Sequence, residues 1–511
     1  MKTHKLFAVA DQVTPANFEE VMQQAIALEL ATIPTYLSTY YSINRAQDQD
    51  ALYDKIYKQL NNTSIDQEVP NEKLAEELKT DILVYANKAA ALIMSVVVEE
   101  MLHLSLACNV KQAISSSPDL ISIGKTLKFP AELVGHEPEF VINIGKLDLD
   151  QLSTFLQIES PDPFTDPADS PETANDVVKY KTIGRLYNMI IECVQEHYPG
   201  PYAPKPQLLP NEPGKPSRPF YSQNSVNTVY YDEKHKPVFG SADDSGDLVG
   251  VYDAASAIKA MNEIKHQGEG NDSDDHNKLE FDSNNMPIPL PVVNGKVQFK
   301  PGDYDDPAKE ELSHYAKFLE VYSLGVHYKE KFGAIAGMDD FFSYFVADQL
   351  PNQKQATYDL GTGPNQEEIA WMSKLGNALY TYIILMVETC YYKDEHTQFQ
   401  VFMYGIHKSM IWLLSDVGNA MRSYTFTAND GSSYTPSLTF EFYDFSEASG
   451  SPKEQLIEIA KSLANSNPSK NPDIDSVAAW SWLYNDQAYL PSLPDVGLDH
   501  SVKPNVPSIP A

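Results

Sequence analysis

The stretch Ala89-Ala-Ala-Leu-Ile-Met-Ser-Val-Val-Val-Glu99-Glu100-Met101-Leu102-His103-Leu104 is an apolar run that ends in two carboxylates and an imidazole. Apolar positions precede it at Leu74, Leu78, Ile82, Tyr85, Ala89, Leu92 and Val96, and follow it at Ala107, Val110 and Ile114. Steps of three and four predict one long helix over about 71–116. Glu100 and His103 occupy core positions of that stripe, and residues three apart share a helix face, so a carboxylate oxygen and an imidazole nitrogen can converge on one ion. Burying a carboxylate there costs several kcal/mol unless it is paired or bound to metal. Glu99 lies off the stripe and is expected to be solvated.

The spacing recurs at Glu311-Leu-Ser-His314 and Glu263-Ile-Lys-His266. Asp306-Pro307, a capping residue followed by a first-turn proline, predicts a helix that carries Glu311 and His314 on the face continued by Phe318 and Val321. Lys309, Glu310 and Lys317 thin its apolar stripe. In the remaining match Ala254, Ala257, Ile258 and Met261 define the buried face, which puts Lys259, Glu263 and His266 on the other side. Glu269 returns to the buried side, within Gln267-Gly268-Glu269-Gly270, where glycines permit a close approach of backbone to a ligand. Glu269 is therefore the candidate, and Glu192, in phase with Arg185, Asn188 and Glu196, reads as part of a solvated face.

Glu29 shares a face with Met22, Ala25, Ile26, Ile33 and Tyr36 in a helix expected over about 14–44, starting at Thr14-Pro15. Pro34 is expected to kink it and free the Leu30 carbonyl. Tyr36 is the candidate catalytic residue, as a donor to a ligand or a proton or radical relay; a core tyrosine with a satisfied hydroxyl is the plain alternative. The candidate metal ligands are thus Glu29, Glu100, His103, Glu269, Glu311 and His314. Two Glu-x-x-His helices and a carboxylate from each of two others are how a helix bundle holds a metal pair. A single ion is expected at Glu29, Glu100 and His103.

Several runs, in this order, resemble one family: Leu28-Glu-Leu-Ala-Thr-Ile-Pro-Thr-Tyr-Leu37, Glu99-Glu-Met-Leu-His-Leu104, Ile183-Gly-Arg-Leu-Tyr187, Gln267-Gly-Glu-Gly270 and Ser313-His-Tyr315. They are similar to the ferritin-like domain of the iminophenyl-pyruvate dimer synthase type, the imine-dimerising enzymes of violacein and rebeccamycin biosynthesis. The resemblance covers roughly residues 15–325. It implies a ferritin-like four-helix bundle; with the patterns read along the rest of the chain, the expected fold is mainly α, such a bundle with long loop insertions, small β segments and additional C-terminal helices. It also implies iron, one or two ions, with another divalent metal as the variant. Carried over by residue, it supports Glu29, Glu100, His103, Glu269 and His314, and Glu311 less closely. Arg185 departs from the family pattern, which often has an acidic residue there. The activity implied is oxidation of a small amino-acid-derived or imine substrate by dioxygen, in secondary metabolism. A metal-binding or ferroxidase-like protein without organic substrate is the alternative class.

The chain has 511 residues, is 42% hydrophobic and carries a formal net charge of −33. That charge argues against nucleic acid or an anionic membrane as partner, since both require a positive surface. Self-association is left open. Cys108, Cys193 and Cys390 form no metal-binding spacing and suit a reducing compartment. The five-residue apolar run near the N-terminus is too short for a secretory signal, and no run reaches the ~20 apolar residues of a membrane span. A cytoplasmic location is expected.

Residues 1–330 are expected to form the metal-binding bundle, with insertions at 118–178, 199–250 and 270–306, and 331–511 a helical extension packed on it. Short strands are expected near Phe140-Val-Ile-Asn-Ile144, a helix over 178–198, and a proline- and tyrosine-rich loop over 199–250 that roofs the site. The acidic run Asn271-Asp-Ser-Asp-Asp-His276 reads as a solvated loop. Two long apolar helices, about 366–393 and 397–422, carry Glu388 and His407, which could pair with each other or contribute to a second metal or haem site, a satisfied core pair being the plainer reading. A β-like run at Leu438–Tyr443, a helix at 452–465 and a proline-rich tail from Pro491 that wraps the surface complete the chain.

Overall fold

The computed structural model describes residues 12–45, 48–62, 70–133, 135–136, 139–160, 182–209, 248–269, 280–299, 304–306, 311–361, 365–428, 431–466 and 476–504. Helices α1 (Phe18–Ser42), α2 (Gln49–Asn62), α3 (Asn71–Ile114), α4 (Leu120–Thr126), α5 (Leu149–Ile158), α6 (Ile183–His197), α7 (Ala254–Glu269) and α8 (His314–Gly333) come first. α9 (Gln355–Asp359), α10 (Gln366–Cys390), α11 (Glu395–Val401), α12 (Leu414–Met421), α13 (Pro452–Ser466) and α14 (Ser476–Asn485) follow. Strands are short and, among the described residues, form only two-stranded antiparallel ladders, such as Ala131–Glu132 with Val141–Ile142.

The long helix read from the 89–104 stretch is α3, and it is the axis of the molecule. From Ala89 to Ala113 its residues are buried on every side, because α1, α2, α7 and α8 all pack against it. A helix apolar all round belongs in a core or a bilayer. α3 is long and apolar enough to cross a membrane, yet its most apolar window is wholly buried inside the protein.

Helix starts follow local chemistry. The Asp148 side chain accepts from Gln151 N–H, Thr182 from Arg185 N–H and Ser313 from Ala316 N–H, which sets where α5, α6 and α8 begin. The Ser313 cap corrects the expected helix at Asp306-Pro307. Tyr304–Asp306 and Glu311–Leu312 are paired strands, so Glu311 lies outside the helix that carries His314. Thr14-Pro15 likewise forms a turn, with Thr14 N–H donating to Asn17 Oδ1 at 2.7 Å, and α1 starts at Phe18. α1 continues through Pro34 to Ser42. α2 was not expected from the sequence.

The C-terminal half packs on the bundle, and one hydrophobic core runs through both. Tyr391 O–H donates to Ser105 O at 3.2 Å, and Arg422 donates to the carbonyls of Tyr41 and Ile43 at 3.0 and 2.6 Å. Between α11 and α12 the backbone makes π-helical turns over Phe402–Ile406 and Lys408–Leu413, either side of His407. The expected strand at 438–443 does not form. That segment runs extended along α10 and satisfies its amides on helix side chains, Glu441 N–H on Asn377 Oδ1 and Tyr443 N–H on Thr381 Oγ1. The tail also tucks inward: Tyr382 O–H donates to Pro494 O, and Val496 is buried.

Candidate metal centre

Glu29 from α1, Glu100 and His103 from α3, and His314 from α8 meet at the centre of the bundle, each at most 3% exposed. Ligand atoms of Glu100, His103 and His314 lie within 4.8 Å of one another. Glu100 Oε1 is 3.4 Å from His103 Nδ1 and 2.9 Å from His314 Nδ1. Glu29 Oε2 is 3.8 Å from His103 Nδ1. The tightest triad therefore has His314 in the place expected for Glu29. The two imidazole rings stack, centroids 4.9 Å apart, which lets both address the Glu100 carboxylate.

The hydrogen-bond pattern presents one bare nitrogen, that of His103, to the cluster. His103 Nε2–H donates to Gln267 Oε1 at 3.0 Å, while the Gln267 amide nitrogen points toward Glu263, 3.5 Å away. That partner leaves the lone pair on His103 Nδ1, facing Glu29 and Glu100. Both ring nitrogens of His314 are fully enclosed without a hydrogen bond of proper geometry, although Nδ1 and Nε2 lie 2.9 Å from Glu100 Oε1 and Glu99 Oε2. Two carboxylates thus face His314 from either side, and a cation bound here would take the place of its ring protons.

The fit extends to a residue missed in the sequence. Glu159, the residue that ends α5, is 5% exposed and places Oε2 3.6 Å from His314 Nδ1. Gly268 on α7 is what leaves it room, since a Cβ there would stand 3.3 Å from Glu159 Oε2. Glu159 is in phase with Leu152 and Phe155 on a short amphipathic helix, so the phase test that picked out Glu100 would also have found it. The other carboxylates are oriented by neighbours: Tyr187 O–H donates to Glu29 Oε1 at 2.5 Å, and Thr32 Oγ1–H to Glu100 Oε2 at 2.5 Å. Tyr36 O–H donates to Glu159 Oε1, with its ring packed between Phe155 and Phe318. Tyr36 therefore touches the cluster through Glu159.

Glu99 corrects the expectation of a solvated side chain. It is 2% exposed and takes two bonds from Lys317 Nζ, at 2.8 and 2.5 Å. Its phase looked polar only because a stripe was assumed on a helix that is buried all round. Burial works against its charge, but the Lys317 ammonium and His314 outweigh it and hold the carboxyl down at about 2. With Glu99 paired to Lys317, the carboxyl groups of Glu29, Glu100 and Glu159 are left facing the two imidazoles. Burial and the charge of Glu100 push the Glu29 carboxyl well up, against the Tyr187 bond. Glu100 goes the other way: despite burial, His103 and His314 pull its carboxyl well down. His314 is raised well above the ordinary imidazole range, since Glu100, Glu159 and Glu99 outweigh its burial. Carboxylates competing for protons in a closed cavity are the electrostatic signature of a cation site, and the O- and N-donor set suits iron, manganese or zinc.

Two expected ligands are not brought in by the described residues. Glu269 ends α7, next to the Gly268 that approaches Glu159, but its side chain lies outside the described residues. Glu311 lies on a strand and its side chain is likewise outside them, so the second Glu-x-x-His is not a helical pair. Glu192 and Arg185 are exposed, and Glu263 is half-buried against Gln267. The run 271–276 and most of the 199–250 loop, residues 210–247, lie outside the described residues. Glu388 is engaged by other groups: it accepts from Ile121 N–H at 2.8 Å and has His500 Nε2 at 3.4 Å.

Residues 22–323 match the model of the ferritin-like family. No curated protein matches the chain. Among solved structures, a ferritin-like protein from Caulobacter vibrioides aligns with a TM-score of 0.37 and 17% sequence identity, over 80% of this chain and 98% of that one.

Proposed function

The chain belongs to the ferritin-like family, and from that premise we propose that it is a non-haem iron oxidase or oxygenase acting with dioxygen on a small amino-acid-derived or imine substrate. The observation that carries this reading is the triad of Glu100, His103 and His314, with Glu29 and Glu159 beside it, all buried and convergent. Such a site has the donors for one or two ions, and burying this many carboxyl groups together is costly unless a cation shares them. The order of motifs along the chain favours the iminophenyl-pyruvate dimer synthase type within the family, hence an imine or amino-acid-derived substrate and a place in secondary metabolism. On this reading residues 1–330 are the metal-binding unit and 331–511 its support, in a cytoplasmic protein.

Each side chain then has a role of its own. Glu100 bridges the two imidazoles and carries the central negative charge, while Gln267 holds His103 in the tautomer with Nδ1 free. Tyr187 and Thr32 fix the carboxylates of Glu29 and Glu100, so the donor geometry is set before anything binds. Bound iron supplies the one-electron and dioxygen chemistry that side chains lack. Tyr36 holds a proton at Oη against Glu159 Oε1, the nearest mobile proton on that side of the cluster. Burial of the whole set excludes water, which strengthens every charge interaction inside.

The test is metal analysis of protein purified from iron-supplemented cells, beside Glu100→Ala and His103→Ala. Stoichiometric metal in the unmutated chain and its loss in both variants support the site; none after anaerobic ferrous reconstitution sinks it. Oxygen consumption with a panel of amino acids and their imines tests the enzyme. Iron oxidation without turnover of any of them assigns the ferroxidase class instead.

A further inference from the structure

A second cavity, of about 340 Å³, opens in the C-terminal half, lined by Asp416, Ala420, Ser423, Tyr424, Trp480, Trp482 and Tyr489. Asp416 and Ala420 lie one turn apart on α12, Trp480 and Trp482 come from α14, and Tyr489 from the segment that follows it. Four aromatic rings and one carboxylate make up most of this wall, and no lysine, arginine or histidine takes part among the described residues. Asp416 stands exposed at the rim, with no hydrogen-bond or ion-pair partner among the described residues, and is free to meet a cation that enters.

The rings are held in place. Trp482 and Tyr489 meet edge to face, centroids 4.5 Å apart and planes at 71°, so they form two sides of a corner. Trp480 Nε1–H and Tyr424 O–H both donate to Glu368 Oε1, at 3.2 and 2.8 Å. Their polar groups are thus committed to a buried carboxylate on α10, and what these two side chains have left to offer a ligand is chiefly aromatic ring. Tyr41, whose hydroxyl is 3.4 Å from Ser415 Oγ beside Asp416, sits on α1 about 18 Å from Glu29 by the rise of the helix. The cavity is therefore separate from the metal centre.

We propose that this cavity binds a small organic cation, an ammonium carrying alkyl groups, seated against Trp482 and Tyr489 with Asp416 as its counter-ion. Aromatic faces attract cations through their quadrupole, and alkylated ammonium is the form whose weak hydration lets that attraction prevail. A single carboxylate at the rim supplies the charge complement, and the volume suits a ligand of choline size or somewhat larger.

The experiment is a tryptophan-fluorescence titration of the full chain with choline, beside the dimethylbutanol in which carbon replaces the ammonium nitrogen, at matched chloride concentration, with calorimetry as the second readout. Choline is expected to saturate and to bind at least about tenfold more tightly than the alcohol. Asp416→Asn is expected to remove that preference. Trp482→Leu is expected to abolish saturation, whereas Trp412→Phe, at an exposed tryptophan outside the cavity, leaves it intact. Equal affinity for the alcohol, saturation by neither ligand, or saturation that survives Trp482→Leu in calorimetry each overturns the proposal.

Discussion

Tyr187 donates its phenolic hydrogen to Glu29 Oε1 across 2.5 Å, both groups buried, so α6 fixes the carboxylate that α1 brings to the candidate metal centre. The Ile183-Gly-Arg-Leu-Tyr187 run thus contributes an orienting hydroxyl. Arg185, the departure from the family pattern, is exposed on the opposite side of the helix and leaves that bond untouched.

Removing that hydroxyl should loosen Glu29 without emptying the core. Tyr187→Phe keeps the ring and deletes the donor, and outer-shell partners of this kind are typically worth 10–100-fold in metal affinity. Ferrous titration calorimetry of the anaerobic protein should show a loss in about that range, with helix content unchanged by circular dichroism. Unaltered affinity would mean that Glu29 is not a ligand.

Lys317 and Glu99 form a closed ion pair whose halves cannot be removed separately at equal cost. Lys317→Met leaves a buried carboxylate without its ammonium, a change of roughly 3–5 kcal/mol, whereas the double variant Lys317→Met with Glu99→Gln should recover most of it. Urea unfolding of the metal-free protein reads both. Equal destabilisation of the single and double variants would show that the cost of losing Lys317 does not come from stranding the Glu99 charge.

The bundle was legible in the sequence wherever one face of a helix is buried and the other wet. The phase of Met22, Ala25, Ile26, Ile33 and Tyr36 placed Glu29, and the stripe around Val96 and Ala107 placed Glu100 and His103. Phase fails where burial is complete, which is why Glu99 was read as solvated: α3 has no wet face at that level. Nor does phase say where a helix begins. Ser313 outcompetes Asp306-Pro307 as the cap, and the pairing of Tyr304 with Leu312 draws Glu311 into a strand. Glu159 belongs to no Glu-x-x-His pair, and it caps the end of a ten-residue helix inside what reads as an insertion. The Leu438–Tyr443 run has the alternation of a strand, but Asn377 and Thr381 satisfy its amides from a helix, a tertiary outcome that local pattern does not encode.

Glu388 gives the fold a pH dependence away from the metal centre. Burial, reinforced by Asp119 and only partly offset by the amides of Ile121 and Leu120, pushes its carboxyl from 4.5 up to about 7. The folded pKa is above the unfolded one, so its contribution is full below about pH 4.5 and is lost as pH rises through about 7. The span corresponds to about 3 kcal/mol. Glu388→Gln, neutral throughout and still able to accept from Ile121 N–H, should flatten this part of the stability profile and be the more stable protein near pH 8. Urea midpoints measured across that window decide it; parallel profiles for the two proteins would remove Glu388 as the source.

Tyr36 separates a structural hydroxyl from a working one. It donates to Glu159, and burial followed by the charge of Glu159 pushes its own ionisation well up, so it is a phenol and not a phenolate in the protein. If Glu159 helps hold metal, Tyr36→Phe leaves the carboxylate in place and removes one hydrogen bond, which should cost metal affinity at most about tenfold. If the phenol also delivers a proton during oxidation, the rate of oxygen consumption should fall by about 10²-fold or more in protein whose iron content is restored by excess ferrous ion. The comparison is made at equal bound iron, with Glu159→Gln in parallel. A Tyr36→Phe rate that recovers fully once iron is restored assigns the hydroxyl to positioning Glu159 alone. A slow rate at full occupancy assigns it to the chemistry.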